Sequence, residues 1–338
     1  MRSKHLAILF LLTFLYGGLL AQQAAAVDSL KKSLAGAKTN EEKIYWMDNL
    51  SRVLMNVNQA EAEEYGKQLI ALAEESRNRK LMIKAYMSNG IRCTYFKGQK
   101  SYSAKAIEFF EKALAIARQE KMEDETGAAQ LQLADIYLAV PDKDKALKYI
   151  TEAFSRINTM KNDSLKVEAN IEYGKVYQSR NERIMSLRHF LTALRLAEEI
   201  NATKPAMQKM KAELMRNSYL NLSSFYNRIE DYDKAIDYYV LAYRQLDNIP
   251  DRRSAYQRCI DINAIGNLFA NKKNYDIAIS YFERSIAMAD SLKFTSLKMP
   301  GYVSLLNQYL RMDQPQKAMD YLNSPSGQNL KHTWQILE

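Results

Sequence analysis

Asparagine supplies most of the side chains in this sequence that could hold a ligand. Asn217, Asn221 and Asn227 fall in one stretch, Asn263 and Asn267 in a second, and Asn307 in a third. A carboxamide offers two N–H donors and a carbonyl acceptor. A row of them can hold the backbone of an extended peptide while reading little of its side-chain identity. A fourth stretch is charged instead, with Glu168, Glu172 and Lys175. Groups suited to catalysis are sparse. His5 precedes an apolar run, His189 adjoins Phe190 and fits a surface or half-buried place on a helix, and His332 lies close to the end. There is no His-x3-His or Cys-x2-Cys metal pattern, no glycine-rich phosphate loop and no Gly-x-Ser-x-Gly elbow. The acid pairs Glu74-Glu75 and Glu198-Glu199 follow helical stretches and read as solvated ends. These residues point to binding without catalysis, and call for neither a cofactor nor a metal.

The elements that carry them repeat. A small residue is followed at fixed distances of 3, 12, 16 and 19 by an aromatic or large residue, a small one, a large one and a small one. The four regular copies are Ala134, Tyr137, Ala146, Ile150, Ala153; Gly174, Tyr177, Ser186, Phe190, Ala193; Ser223, Tyr226, Ala235, Tyr239, Ala242; and Gly266, Phe269, Ala278, Phe282, Ser285. Looser copies start at Ser51, at Gly90 and at Leu306. The copy at Gly90 has four extra residues before Ala106, which expands its turn around Lys97 to Ser103. Such spacing is that of two helices crossing at small residues, with aromatics filling the gap to the next repeat. Neither helix can bury its apolar stripe alone, so neighbours complete each other's core. All six prolines fall outside the expected helix interiors: Pro141 and Pro315 in turns within repeats, Pro205, Pro250 and Pro300 between repeats, and Pro325 after the last. An interior proline would cost about 3 kcal/mol.

The pattern small-x2-aromatic, then Ala-x3-aromatic-x2-small, closely resembles the tetratricopeptide repeat. The marker positions 62, 106, 146, 186, 235, 278 and 318 are separated by 44, 40, 40, 49, 43 and 40 residues. The family's usual period is 34 and the HEAT and armadillo range lies near 40. The chain also lacks an early Trp in each first helix and a Pro closing each repeat, but the small and aromatic positions favour the tetratricopeptide reading. The resemblance implies an all-α, right-handed superhelical solenoid of about seven repeats over residues 43–325. Its first helices would line a concave groove, which is where Asn217, Asn221, Asn227, Asn263, Asn267, Asn307 and Lys175 would stand. The two-lysine carboxylate clamp of chaperone-binding members needs Lys followed by Asn four residues on at these positions, and no repeat has that pair.

Of the 338 residues 47% are hydrophobic, and the formal net charge is +9. The first 21 residues differ in kind. Arg2 and Lys4 precede an apolar run from Leu6 to Tyr16, then Gly17-Gly18 and small residues with cleavage sites after Ala21 or Ala26. This reads as a secretory signal peptide. As an uncleaved anchor the run would be short for about 30 Å of hydrocarbon. Loss of its two cations leaves +7. In an exported protein that basic surplus argues for a solvated exterior or an acidic partner rather than nucleic acid. Cys93 and Cys259 lie in repeats two and six, too distant for a disulfide, and should be free and buried.

Residues 22–42 form an N-terminal helix and linker, and 326–338 a tail. The opening Val27-Asp28-Ser29-Leu30-Lys31-Lys32-Ser33-Leu34 resembles the start of the exported repeat domains of Bacteroidetes sensor proteins. In those a membrane helix and a histidine kinase or DNA-binding output domain follow the repeats. The resemblance implies a periplasmic sensing part that binds a peptide or protein and communicates with a membrane-anchored kinase. An envelope scaffold working through its convex or terminal surfaces is the alternative.

Overall fold

A computed structural model describes residues 27–55, 58–94, 100–249, 252–292 and 294–323. The expected signal peptide, residues 97–99 of the expanded turn, Pro250, Pro325, His332 and the tail 326–338 lie outside the described residues. All regular structure among those described is helical. A short helix α1 spans 27–35. Then come α2 (Asn40–Leu54), α3 (Gln59–Glu75), α4 (Arg79–Thr94), α5 (Lys100–Gln119), α6 (Glu123–Ala139), α7 (Lys143–Ile157) and α8 (Asp163–Ser179). The remainder are α9 (Arg183–Glu199), α10 (Pro205–Arg228), α11 (Tyr232–Gln245), α12 (Arg252–Asn271), α13 (Tyr275–Ser291), α14 (Thr295–Arg311) and α15 (Pro315–Asn323), with a 3-10 turn Leu246–Asn248 after α11. No described helix is long and apolar enough to cross a membrane. The chain divides into two compact units, 1–182 and 183–338, the first holding α1 to α8 and the second α9 to α15.

Within each unit consecutive helices pack as pairs, and the signature residues lie where they cross. Ala62, Ala106, Ala146, Ala235 and Ala278 are completely buried. The first small position has no room to grow. A Cβ on Gly90 would lie 2.4 Å from Phe110 Cε1, and one on Gly266 would lie 2.6 Å from Phe282 Cε1. Where that position is serine, its hydroxyl crosses to the partner helix. Ser51 Oγ donates to the Ala62 carbonyl at 2.8 Å and Ser223 Oγ to the Ala235 carbonyl at 2.7 Å. Both serines are buried, so this satisfies a hydroxyl that would otherwise be costly.

The large residue sixteen on fills the gap to the next repeat, Phe190 against Leu222 and Phe225 and Phe282 against Tyr302 and Leu305, while the aromatic three on makes a second contact. It stacks within its own repeat: Tyr137 on Tyr149, Tyr226 on Tyr238 and Phe269 on Tyr281, with centroids 5.6, 5.5 and 5.3 Å apart. Lys145 and Lys234 then cover the outer faces of Tyr137 and Tyr226 at 4.9 and 5.0 Å. Ring and cation together fix the angle between the two helices of a repeat.

Two sequence expectations need correction. Pro300 lies inside α14 rather than between repeats. Phe294 and Leu297, both buried, pack with Cys259 and Ala289, and this anchoring draws the helix start upstream of the proline. Likewise the expanded turn stops before Ser103, since α5 begins at Lys100 and Ser103 is buried within it. Cys93 and Cys259 are free and buried, on α4 and α12.

The helix-to-helix turns share a conformation. Asn181, Glu230, Lys273 and Asp313 stand seven residues after the first signature position of their copies, and all have left-handed φ between 54° and 66°. Just beyond, Asp231 caps α11 by accepting from the Lys234 N–H at 3.2 Å, and Asp142 caps α7 from the Lys145 N–H at 3.1 Å. The positive φ reverses the chain and the cap starts the next helix.

A candidate peptide-binding face

The first helices of successive repeats lie side by side within each unit. In the second unit these are α10, α12 and α14. Two hydrogen bonds fix their register. Asn271 Nδ2 donates to Asn227 Oδ1 at 3.1 Å, tying α12 to α10. Asn263 Nδ2 donates to Ser304 Oγ at 3.3 Å, tying α14 to α12. One turn from these links, Ser224, Asn267 and Asn307 fall into one row across the three helices, and all three are exposed. Asn267 and Asn307 make no hydrogen bond among the described residues. They are the carboxamides available to a ligand.

The other candidates divide. Asn217 is exposed, and its carbonyl accepts from Asn221 Nδ2 at 2.8 Å, so one amide is used along the helix. Asn227 and Asn263 work as ties between helices. Among the described residues Asn263 still keeps a buried Oδ1 with no partner, and in α14 Gln308, 2% exposed, has the same want at Nε2.

Beneath the row lies a charge cluster that no local motif announces. Arg216 Nη2 lies 2.9 Å from both carboxylate oxygens of Asp261, which is fully buried. Gln257 Nε2 at 3.0 Å and Tyr239 Oη at 3.3 Å also donate to Asp261 Oδ1. Burial, and then the Asp261 charge, push the Tyr239 hydroxyl above its usual range, so it stays a donor. The cluster clamps α10, α11 and α12 together. Arg216 and Tyr239 lie 45 and 22 residues from Asp261, beyond what local spacing can reveal.

The sequence reading also passed over three aliphatic residues in this face. Ile260, Val303 and Leu310 are 37, 46 and 56% exposed. The spacing 303, 307, 310 is one helical stripe, so their alignment with Asn307 was available as a signal.

In the first unit, Lys175 does not stand open. Its ammonium meets Glu172 at 2.6 Å and Asp135 of α6 at 3.5 Å. Burial alone would lower it, but the two carboxylates outweigh that and hold it above the usual lysine range. A cleft of about 460 Å³ also opens between α2, α4 and α6, with Lys80, Lys84, Met87 and Ala128 among its lining. Lys84 lies 5.7 Å from the Tyr45 ring. No grouping of His, Cys, Asp and Glu fit to hold a metal occurs among the described residues.

Comparison with known proteins agrees with this architecture. The sequence model of the family described as tetratricopeptide repeat matches residues 217–245 and 262–291. No curated protein matches the sequence. Among solved structures, a Rap protein complexed with competence and sporulation factor is similar over 99% of this chain and 100% of its own, with TM-score 0.56 and 12% identity. BtubC (BKLC) from P. vanneervenii is similar over 70% of this chain and 90% of its own, with TM-score 0.52 and 16% identity. NprR in complex with its cognate peptide NprX is similar over 96% and 88%, with TM-score 0.50 and 14% identity. The segments 217–245 and 262–291 are therefore tetratricopeptide repeats, and the chain around them has the all-α helical-repeat fold of these structures.

Proposed function

We propose that this chain is an exported, non-catalytic repeat protein that binds an extended peptide or protein segment through the first-helix face of α10, α12 and α14. The observation that carries the reading is the exposed row of Ser224, Asn267 and Asn307, two of them carboxamides that make no hydrogen bond among the described residues. Each can give a donor and an acceptor to a peptide unit. Two of the similar structures are complexes, one with competence and sporulation factor and one with a cognate peptide, which supports a ligand of this kind. The N-terminal basic and apolar run supports export. On that basis the role is periplasmic sensing, with a membrane-anchored kinase or other output domain as the partner that receives the signal.

The test is selection of a displayed random dodecapeptide library against the protein, followed by Asn267→Ala with Asn307→Ala. Two hydrogen bonds of about 1 kcal/mol each correspond to a tenfold or greater loss of affinity for enriched peptides. Unchanged affinity would sink the proposal. The scaffold alternative draws on Ile184, 78% exposed, and Leu191, 42% exposed, on α9. It gains if envelope partners are lost with Ile184→Asp while the asparagine variant keeps them.

A further inference from the structure

The first-helix face of the second unit is almost free of charge. Residues 217–227 of α10 and 303–310 of α14 contain no Asp, Glu, Lys or Arg, and 260–271 of α12 contains only Asp261. That one carboxylate is fully buried and held by Arg216. In a chain of which 26% is charged, such a run on three neighbouring helices is out of keeping with an ordinary solvated surface. The first helices of the other unit differ, with Asp48 and Arg52 on α2, Lys84 on α4, Asp135 on α6, and Glu168, Glu172 and Lys175 on α8. Arg228 and Arg311, both exposed, stand at the C-terminal ends of α10 and α14 and bound the uncharged area.

The face is patterned as well as neutral. The row of Ser224, Asn267 and Asn307 has exposed aliphatic side chains one turn to either side on α14, Val303 before it and Leu310 after it. A ligand crossing the helices along the polar row would lay its backbone on the carboxamides. Its side chains, pointing alternately to the two sides as in any extended strand, would meet Val303 on one side and Leu310 on the other. Packed helices stand about 8–10 Å apart and an extended chain advances about 3.3–3.6 Å per residue. Asn267 and Asn307 would thus address peptide units roughly three residues apart. A charged ligand side chain here would lose water and gain no counter-charge.

We infer that this face takes an uncharged, aliphatic-rich stretch of polypeptide, laid in extended form across α12 and α14 with its backbone on Asn267 and Asn307. This rests on the reading of the face as a peptide site and adds the chemistry of the ligand.

The experiment uses the full chain and three pools of labelled synthetic dodecapeptides, read by fluorescence anisotropy. The neutral pool is built from Ala, Val, Leu, Ser, Asn and Gly. The acidic and basic pools replace one residue in three with Asp or with Lys. The neutral pool should bind at least tenfold more tightly than either charged pool. Val303→Asp with Leu310→Asp should weaken the neutral pool at least tenfold and strengthen the basic one. That gain is something a misfolded protein could not produce. Both sites are exposed, and an unchanged melting curve by circular dichroism checks the fold. The inference is overturned if a charged pool binds as well as the neutral one, or if the double variant leaves the order of the pools unchanged. Should no pool bind and library selection also fail, the peptide-binding reading falls with it. If no pool binds and sedimentation shows a dimer that the double variant splits, the face is a self-contact, and the inference is again overturned.

Discussion

His189 is held in its neutral form by its surroundings. It is buried on α9, and burial, then the neighbouring Arg188 charge, pull its imidazole below the usual value of 6.5. The unfolded chain takes up a proton at this residue below about pH 6.5, while the native imidazole does so only at lower pH. In that window the unfolded state binds more protons, so stability falls as pH drops; above it the residue contributes nothing to the pH dependence. The urea midpoint should therefore fall more between pH 7.5 and pH 5.5 in the native sequence than in His189→Gln. An equal fall in both would show that this histidine does not set the acid response. At this scale the sequence was legible where a residue's job depends on neighbours at fixed helical distance. Gly90, Ala146 and Ala278 had to be small because a second helix crosses there. Arg216 was not legible: its carboxylate partner, Asp261, arrives from another repeat 45 residues on. The exposed row was half legible, since asparagines were recognisable as candidates. Which of them are spent on ties, such as Asn227 with Asn271, depends on helix register.

Pro300 shows how an element can run through a residue that ought to stop it. α14 starts five residues before it, so its nitrogen stands where the helix would make a backbone hydrogen bond to residue 296, and cannot donate. The buried Phe294 and Leu297 hold that first turn against α12 and α13 regardless. Pro300 itself is exposed, so it contributes little packing in return. Pro300→Ala should restore the missing bond and raise stability by about 1–2 kcal/mol, less than the full interior penalty because the unfolded chain also gains freedom. Chemical denaturation would check this; a destabilised variant would mean the ring fixes the start of α14. The turns teach the same lesson from the other side. Glu230, Lys273 and Asp313 occupy left-handed backbone without being glycine, so nothing in their residue types announced a sharp reversal. Helix existence followed from the apolar period, whereas boundaries depended on caps and tertiary anchoring that composition does not display.

A repeat array distributes its stability along the chain, because each repeat is supported chiefly by its own pairing and its immediate neighbours. The polar contacts follow that rule: Lys272 reaches Asp233 of the preceding repeat, and Arg118 meets Glu152 of the following one at 2.7 Å. Damage at one crossing should consequently remain local. Ala278 is completely buried where α12 and α13 meet. Ala278→Arg adds bulk and a charge with no partner, at a cost of about 3 kcal/mol or more. Lys272→Ala removes only an exposed ion pair, worth under about 1 kcal/mol. Hydrogen exchange resolves where the loss is felt. In Ala278→Arg the amides of α12 and α13 should exchange much faster, while those of α6 and α7, which lie in the other compact unit around their own buried Ala134, Ala146 and Ile150, keep their protection. Lys272→Ala should leave both regions as they are. Uniform loss of protection from Ala278→Arg would mean the chain unfolds as one cooperative body, and equal effects of the two substitutions would mean that the crossing has been assigned to the wrong residue.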